Sequence, residues 1–385
     1  MCWGLTWSNL SSSFYVTQIN NPGSQSGLMT GELDMATRTR KITQRELANR
    51  LGLSQMTVSY ALRGSEMVSR QTREHVQKEA ARLGYRPNSS AQAMRNGRFG
   101  CVAIVDSTEV DRSSYFGGDL IGGVHDALLS RDTHLTIARL PDAELTDENF
   151  MPKILRQLMV DGMLINYFAQ IPNRLVELVE EYNLPAIWLN SKQARDCIYP
   201  DDHQAGRHAV QHLMELGHRK IGYLDHMSDR PEHFDPTTHV HYSVLDRFNG
   251  YCDAMRDAAL PVRDFLGSHM RMWDDPLAVV TRWIRQPDRP TALICHDRRV
   301  VTQIIHAALT HGLSVPGDLS VITFEDINKC EMGMTMTTMR QCWEDFGRTA
   351  AGVLMDKIKA NNQSMPAMSL PYKLELGQTT AVCPG

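Results

Sequence analysis

Residues 42–63 contain two helix-start signals separated by a single glycine turn, and this stretch constrains the chain more than any other. Thr43 and Glu46 have the spacing of a capping box, so the sequence predicts a short helix that ends before Gly52. Ser54 is placed to cap a second helix directly after that turn. Two short helices joined by a tight turn are typical of a DNA-reading helix-turn-helix.

The second predicted helix has one apolar face and one face that is free to read DNA. Val58, Ala61 and Leu62 have the spacing to pack on Leu47 and Leu51 of the first helix. The side chains on the opposite face are expected in a major groove, and they are Gln55, Met56, Ser59, Tyr60 and Arg63. Hydroxyl side chains at helix starts are expected to contact phosphates, and they are Thr43, Ser54, Thr57, Ser69 and Thr72.

A third helix is predicted from Ser69 to a cap at Gly84, and a plain three-helix unit would by itself account for residues 42–84. The segment that follows, Gly84-Tyr85-Arg86-Pro87-Asn88 and then Ser89 to Arg98, resembles the lactose-repressor/galactose-repressor (LacI/GalR) family of bacterial transcription regulators. That resemblance implies a three-helix headpiece followed by a short hinge helix. Met94 occupies the place where the family usually has a leucine, and it is expected to insert into the minor groove of the operator.

Charge is distributed unevenly along the chain. Residues 36–98 contain 13 Lys and Arg but 4 Asp and Glu, although the whole chain has a formal net charge of −4. The remainder is therefore acidic. A concentrated basic segment indicates contact with nucleic acid, because neutralising phosphates releases counterions only where positive charge is dense.

After residue 99, short apolar runs alternate with helical patterns, which predicts an α/β body of parallel sheets covered by helices. Strands are expected near 102–105, 135–138, 162–166, 186–190, 220–224, 292–295, 320–324 and 372–375, with helices between them that include one over 149–158. The resemblance implies a two-lobed, periplasmic-binding-protein-like body of doubly wound parallel sheets. The expected organisation is a disordered extension (1–35), a headpiece with its hinge (36–98), and an effector-binding and dimerisation domain (99–385). Its first lobe would cover about 99–190 and 341–368, and its second lobe about 191–340 and 369–385.

Ligands in such sheets bind beyond the carboxyl ends of the strands. The candidate effector-binding residues at those places are Tyr115, Phe116, Trp188, Arg247, Trp273, His296 and Glu325. By resemblance, Arg247 matches an arginine that binds effector hydroxyls or carboxylates, Trp273 a stacking aromatic, and Glu325 a position usually held by Asp. Phe116 and Trp188 fit the apolar core equally well.

No catalytic or metal site is predicted, and no cofactor. His208 and His212 have metal-ligand spacing on one helix, but a structural role is the better interpretation, and the loop histidines His226, His233, His239 and His241 lack a fixed-spacing partner. The eight cysteines include no Cys-x-x-Cys pair and several lie in apolar runs, which favours reduced thiols in a cytoplasmic protein.

The sequence therefore predicts a transcription regulator and repressor, a cytoplasmic homodimer that binds a palindromic operator and responds to a small molecule, with a sugar as the expected effector. The alternative is a solute-binding protein or an enzyme on the same two-lobed body, and the basic headpiece disfavours both. No membrane segment is expected. Met35 resembles a natural start, so residues 1–34 are expected to be dispensable, and no tetramer-forming coiled coil is expected at the carboxyl end.

Overall fold

The computed structural model describes residues 42–86, 97–107, 117–141, 144–147, 149–156, 160–167, 171–224, 241–263, 276–296, 298–324 and 333–385. The chain divides into two compact units, Met1–Pro87 and Asn88–Gly385. The division falls inside the segment 36–98 that the sequence assigned to headpiece and hinge together.

In its described residues, 42–86, the first unit is a bundle of three helices, α1 (Gln44–Leu51), α2 (Gln55–Leu62) and α3 (Arg70–Arg82). Its core is small, and its fully buried members are Leu47, Ala48, Val58, Ala61, Val76 and Ala80. Leu51, Leu62 and Leu83 pack against them from the edge. The predicted packing of the second helix on the first is therefore confirmed.

Each helix of the bundle begins at a side-chain cap, as the sequence predicted. Thr43 and Glu46 form a reciprocal capping box, in which the Glu46 N–H donates to Thr43 Oγ1 at 3.2 Å and the Thr43 N–H donates to Glu46 Oε2 at 2.8 Å. Ser54 and Ser69 cap α2 and α3 through the backbone N–H groups three residues later. Gly52 ends α1 with φ 63°, a left-handed conformation that glycine adopts without steric cost.

Among the described residues, the first lobe of the body forms a parallel six-stranded sheet. Its strands are β1 (Cys101–Ser107), β2 (His134–Leu140), β3 (Gly162–Asn166), β4 (Ala186–Leu189), β5 (Cys197–Pro200) and β10 (Met368–Leu370), in the spatial order β10-β5-β4-β3-β1-β2. Helices α4 (Gly118–Leu129) and α11 (Trp343–Lys359) cover one face, and α5 (Lys153–Arg156) and α6 (Asn173–Glu181) contribute to the other. Helices on both faces explain why β1 and β3 are almost uniformly buried.

In the part of the second lobe that the structure describes, five strands form a sheet in the order β11-β9-β8-β7-β6. Its strands are β6 (Ile221–Leu224), β7 (Ala292–Cys295), β8 (Ser320–Thr323), β9 (Thr337–Arg340) and β11 (Lys373–Glu375), of which β11 alone is antiparallel. Helices α7 (Asp202–Glu215) and α8 (Tyr242–Asp257) pack on one face, and α9 (Pro276–Ile284) and α10 (Arg298–Thr310) on the other.

The chain passes between the lobes three times, at Pro200 to Asp202, at Arg340 to Trp343 and at Leu370 to Lys373. The lobe boundaries expected at residues 190 and 368 therefore fall later, after Pro200 and after Leu370. Strands β5, β9 and β10 were not predicted as strands, because each has three or four residues and no sustained apolar run.

The helix predicted over 149–158 is wrong in its beginning. Helix α5 starts at Lys153, because Pro152 cannot occupy a helix interior and instead accepts the first hydrogen bonds through its carbonyl, from the N–H groups of Leu155 and Arg156. Residues 157–159 lie outside the described part of the chain.

Among the described residues, no helix is long and apolar enough to cross a membrane. Six described cysteines are free thiols.

Each lobe contains one pair of helices that cross with their backbones in contact at glycines. In the first lobe, a Cβ on Gly347 of α11 would overlap the Leu120 carbonyl of α4, and one on Gly123 would overlap the Glu344 carbonyl. In the second lobe, a Cβ on Gly250 of α8 would overlap the His203 carbonyl of α7. These glycines set the distance between the helices that cover each sheet.

We predict that Gly347→Ala destabilises the body by about 1–3 kcal/mol, because the new methyl group forces α11 and α4 apart. The matched control is Gly352→Ala on the same helix, where no atom lies within 4 Å of the added Cβ. That control should be neutral or stabilising by up to about 1 kcal/mol. Urea unfolding monitored by fluorescence measures both changes, and equal effects of the two variants would contradict the crossing geometry.

Candidate functional site

The first candidate site is the exposed face of helix α2. Gln55, Met56 and Arg63 are exposed, with Met56 at 65%, whereas Ser59 and Tyr60 are half-buried. The predicted face therefore exists as a continuous surface on one helix.

Arg63 is held in a defined position on this face. Its guanidinium lies 5.3 Å from the centre of the Tyr60 ring, and its Nε–H donates to the Ser59 carbonyl at 3.2 Å. These two contacts restrict the orientation of the guanidinium and therefore of its remaining N–H groups. Tyr60 thus positions a cation at the end of the reading helix.

The predicted phosphate-contact residues lie at the amino ends of α2 and α3 in two hydroxyl pairs. Ser54 Oγ and Thr57 Oγ1 are 2.8 Å apart, and Ser69 Oγ and Thr72 Oγ1 are also 2.8 Å apart. In each pair one hydroxyl hydrogen makes the bond and the other remains available to a phosphate oxygen. Thr43 differs, because its hydroxyl donates to Glu46 Oε2 at 3.1 Å within the capping box.

The second candidate site surrounds Arg247, on helix α8 of the second lobe and beside the segments that cross between the lobes. Its Nε–H donates to Asp202 Oδ1 at 2.6 Å, Nη2 donates to the Tyr372 hydroxyl at 3.0 Å, and Nη1 donates to the His296 carbonyl at 3.3 Å. The guanidinium also lies 4.7 Å from the centre of the Phe324 ring. We call these five residues the Arg247 cluster.

The Arg247 cluster keeps its charges despite burial. Burial by itself lowers the pKa of Arg247, but the Tyr372 oxygen and the Asp202 carboxylate outweigh it, so that pKa lies above its ordinary value. For Tyr372, by contrast, burial raises the pKa, so its phenol stays protonated and donates to Asp202 Oδ1 at 2.7 Å. Two of the five guanidinium N–H groups have no partner among the described residues. They are suited to a ligand with hydroxyl or carboxylate oxygens.

Contacts between the lobes lie next to this cluster. His241, at the start of α8 in the second lobe, donates from Nε2 to the Asn190 carbonyl in the first lobe at 2.8 Å, and the Tyr242 hydroxyl donates to Asn190 Oδ1 at 3.2 Å. Lys192 and Asp246 form an ion pair across the same junction at 2.7 Å. Burial is the main cause that lowers the pKa of His241, so this imidazole is neutral at pH 7.

The predicted effector residues do not all meet at this place. Arg247 and His296 do, although the contact of His296 with Arg247 is made by its backbone carbonyl. Trp188 instead packs in the apolar cluster on the α6 face of the first sheet, with Leu175 and Leu178, which supports its interpretation as core. Tyr115, Phe116, Trp273, Glu325 and Met94 lie outside the described residues.

Sequence reasoning missed Asp202, Tyr372, Phe324 and Asn190 as site residues. Asp202 follows β5 and begins α7, but that strand was not predicted, so the carboxylate could not be placed at the carboxyl end of a strand; Phe324 and Asn190 end predicted strands, and that position was a usable signal. Of the histidines considered for metal, His208 pairs with Gln204 at 2.8 Å and His212 contacts Thr380 at 3.4 Å. His226, His233 and His239 lie outside the described residues.

Comparisons with known proteins agree with the description of the three-helix unit and with that of the two-lobed body. A family model described as bacterial regulatory proteins, lacI family, matches residues 43–88, and one described as a periplasmic binding protein-like domain matches residues 210–380. Catabolite control protein A of Priestia megaterium is 24% identical over 344 residues, which cover 88% of this chain and 99% of that protein.

Two solved structures share the fold. The lac repressor dimer bound to operator and the anti-inducer ONPF has a TM-score of 0.67 and 21% identity, and the match covers 89% of this chain and 100% of that one. The transcriptional regulator CelR in complex with cellobiose has a TM-score of 0.55 and 23% identity, with 88% and 100% covered.

The junction at His241 predicts a pH dependence of stability. Since burial lowers the folded-state pKa, the unfolded chain binds more protons below pH 6.5, and the stability present above that pH is lost as the pH falls toward the folded-state pKa. We expect His241→Gln to reduce the change of the unfolding free energy with pH by up to about 1.4 kcal/mol per pH unit. Glutamine can still donate a hydrogen bond to Asn190, but it does not titrate. Urea midpoints between pH 7.5 and 5 measure the slope. Exposed His208→Gln is the control, and an unchanged slope in His241→Gln would contradict the prediction.

Proposed function

The chain belongs to the LacI/GalR family of bacterial transcription regulators, and we propose that it is a sequence-specific DNA-binding repressor controlled by a small molecule bound between its two lobes. The observation that carries this proposal is the capped helix pair α1–α2 with its exposed face, in the segment that matches the lacI family model. The protein acts as a homodimer on a palindromic operator in the cytoplasm and has no enzymatic role.

DNA reading is assigned to α2 and phosphate contact to the helix starts. Gln55 can pair with adenine through two hydrogen bonds, and Met56 and Tyr60 can contact thymine methyl groups. The hydroxyl pairs Ser54–Thr57 and Ser69–Thr72 bind backbone oxygens without regard to sequence. Met94 is proposed as the apolar side chain that enters the minor groove between half-sites.

The effector is proposed to be a sugar or a related polyhydroxylated metabolite. Two N–H groups of Arg247 have no partner among the described residues, and such a pair of donors suits vicinal hydroxyls or a carboxylate. The CelR structure contains cellobiose, which supports the same ligand class. Because residues of both lobes meet at His241, Asn190, Lys192 and Asp246, a ligand at the junction can change how the lobes are held together.

A gel-shift titration with duplex DNA from a binding-site selection tests the function directly. The regulator should select a palindromic sequence, and the logarithm of its affinity should fall linearly with the logarithm of salt concentration, since phosphate neutralisation releases counterions. Absence of any selected sequence, with the fold intact by circular dichroism, would favour the solute-binding or enzymatic alternative.

Gln55→Ala should cost about 1–3 kcal/mol on the selected operator and remove discrimination at one base pair, where adenine is expected. Thr57→Ala is the matched comparison on the same helix, and it should weaken all sequences alike because its partner is the phosphate backbone. Selection repeated with each variant measures both effects. An unchanged base preference in Gln55→Ala would refute the assignment.

Arg247→Lys should lower effector affinity by about one to two decades while the operator is still bound in the absence of effector. Lysine retains the positive charge that Asp202 requires but lacks the planar fork, and a charge-assisted hydrogen bond contributes about 1.5–3 kcal/mol. Arg207→Lys, in the more exposed Arg207–Asp257 pair, is the control. Thermal shift with a sugar panel measures ligand binding. Loss of operator binding with retained sugar affinity would reverse the assignment.

A further inference from the structure

A second concavity lies wholly within the first lobe, apart from the Arg247 cluster. Its volume is about 520 Å³, and its walls come from α6, the β4–β5 loop and the segment after α11. No residue of the Arg247 cluster lines it. Small-molecule sites have volumes of roughly 300–1,000 Å³, so this cavity is large enough for a single sugar ring.

Trp188 supplies a flat apolar wall of the cavity. One side of this half-buried residue packs in the first-lobe core with Leu175 and Leu178, and the residue also lines the cavity. Its position in a strand between buried neighbours fixes the indole, so a ligand that stacks on it loses little further side-chain entropy.

Two amide side chains, Asn183 and Asn362, contribute polar groups to the cavity lining. Asn362 Nδ2 donates to Asn183 Oδ1 at 2.7 Å, and this bond holds the Asn183 amide in place. The Asn183 Nδ2 group has no hydrogen-bond partner among the described residues. A hydroxyl group can accept a hydrogen bond from such an amide and donate one to an amide oxygen.

The charges around the cavity balance. Lys357 and Asp196 form a largely buried ion pair at 2.6 Å, and Arg195 lies 4.0 Å from the second oxygen of Asp196. Glu180 is the other acidic group of the lining, so two cations face two anions. Such a site favours a neutral ligand over an anion or a cation.

We propose that this cavity is a second binding site, distinct from the junction of the lobes, for a neutral pyranose sugar. The apolar face of the ring stacks on Trp188, and its hydroxyls exchange hydrogen bonds with the amide groups of Asn183 and Asn362. The site does not depend on DNA reading by the first unit.

Asn362→Gly tests the site without straining the backbone. Asn362 has φ 64°, a conformation that glycine adopts freely, so the variant removes the amide and keeps the chain path. Asn361→Gly is the matched control, because Asn361 also has a left-handed φ of 51° but does not line the cavity. Saturation-transfer NMR with D-glucose and with cellobiose measures sugar binding to the full chain.

We expect Asn362→Gly to weaken binding of at least one of these sugars about three- to tenfold, which corresponds to one hydrogen bond. Asn361→Gly should bind as the wild type does, and the cavity-dependent binding should persist in Arg247→Lys. If neither sugar binds, or if Asn362→Gly binds both as tightly as wild type, the proposal is overturned. Failure of the effector assignment would instead remove the Arg247-dependent effect alone, so the two failures are distinguishable.

Discussion

The ion pair between Arg247 and Asp202 depends on two helices of the second lobe touching backbone to backbone. Gly206 of α7 faces the Arg247 carbonyl, and Gly250 of α8 faces the His203 carbonyl, so the helices come closer than any side chain would permit. Asp202 in the first turn of α7 and Arg247 in the second turn of α8 then meet at 2.6 Å, with Asp202 almost fully buried. Removing one partner of such a pair leaves the other charge buried without a partner, which lowers the free energy of unfolding by about 3–5 kcal/mol.

This pair also lies where the chain crosses between lobes. Asp202 ends the first crossing and Tyr372 belongs to the third, so two of the three crossing segments are joined to α8 through one guanidinium. Beside it, the loop between β4 and β5 reaches the second lobe through Asn190 and Lys192 and lines the first-lobe cavity through Arg195 and Asp196. One short loop therefore participates in both candidate ligand sites, which gives a physical route by which either occupant can affect the lobe junction.

The first unit is stabilised in a different way, because its core of six small or medium side chains buries little apolar surface. Side-chain caps at all three helix starts and the left-handed Gly52 compensate by satisfying backbone groups that a short helix leaves open. The small core also leaves the outer face of α2 exposed. On that face, Tyr60 holds the guanidinium of Arg63 above its ring.

Local sequence determined the elements of this protein, and the tertiary structure decided which side chains meet. Caps such as Thr43–Glu46 and apolar runs such as 101–107 act over a few residues, so the three headpiece helices and most strands of both lobes were predictable. Strand β5 was not, because four residues become a strand only when a neighbouring strand pairs with them. Likewise the sequence could not place the ring of Trp188, which the packing of the sheet turns toward α6 and away from Arg247. Arg247 itself was recognised by resemblance, but its partners Asp202 and Tyr372 lie 45 and 125 residues away in sequence and are brought to it only by the close crossing of helices at glycines.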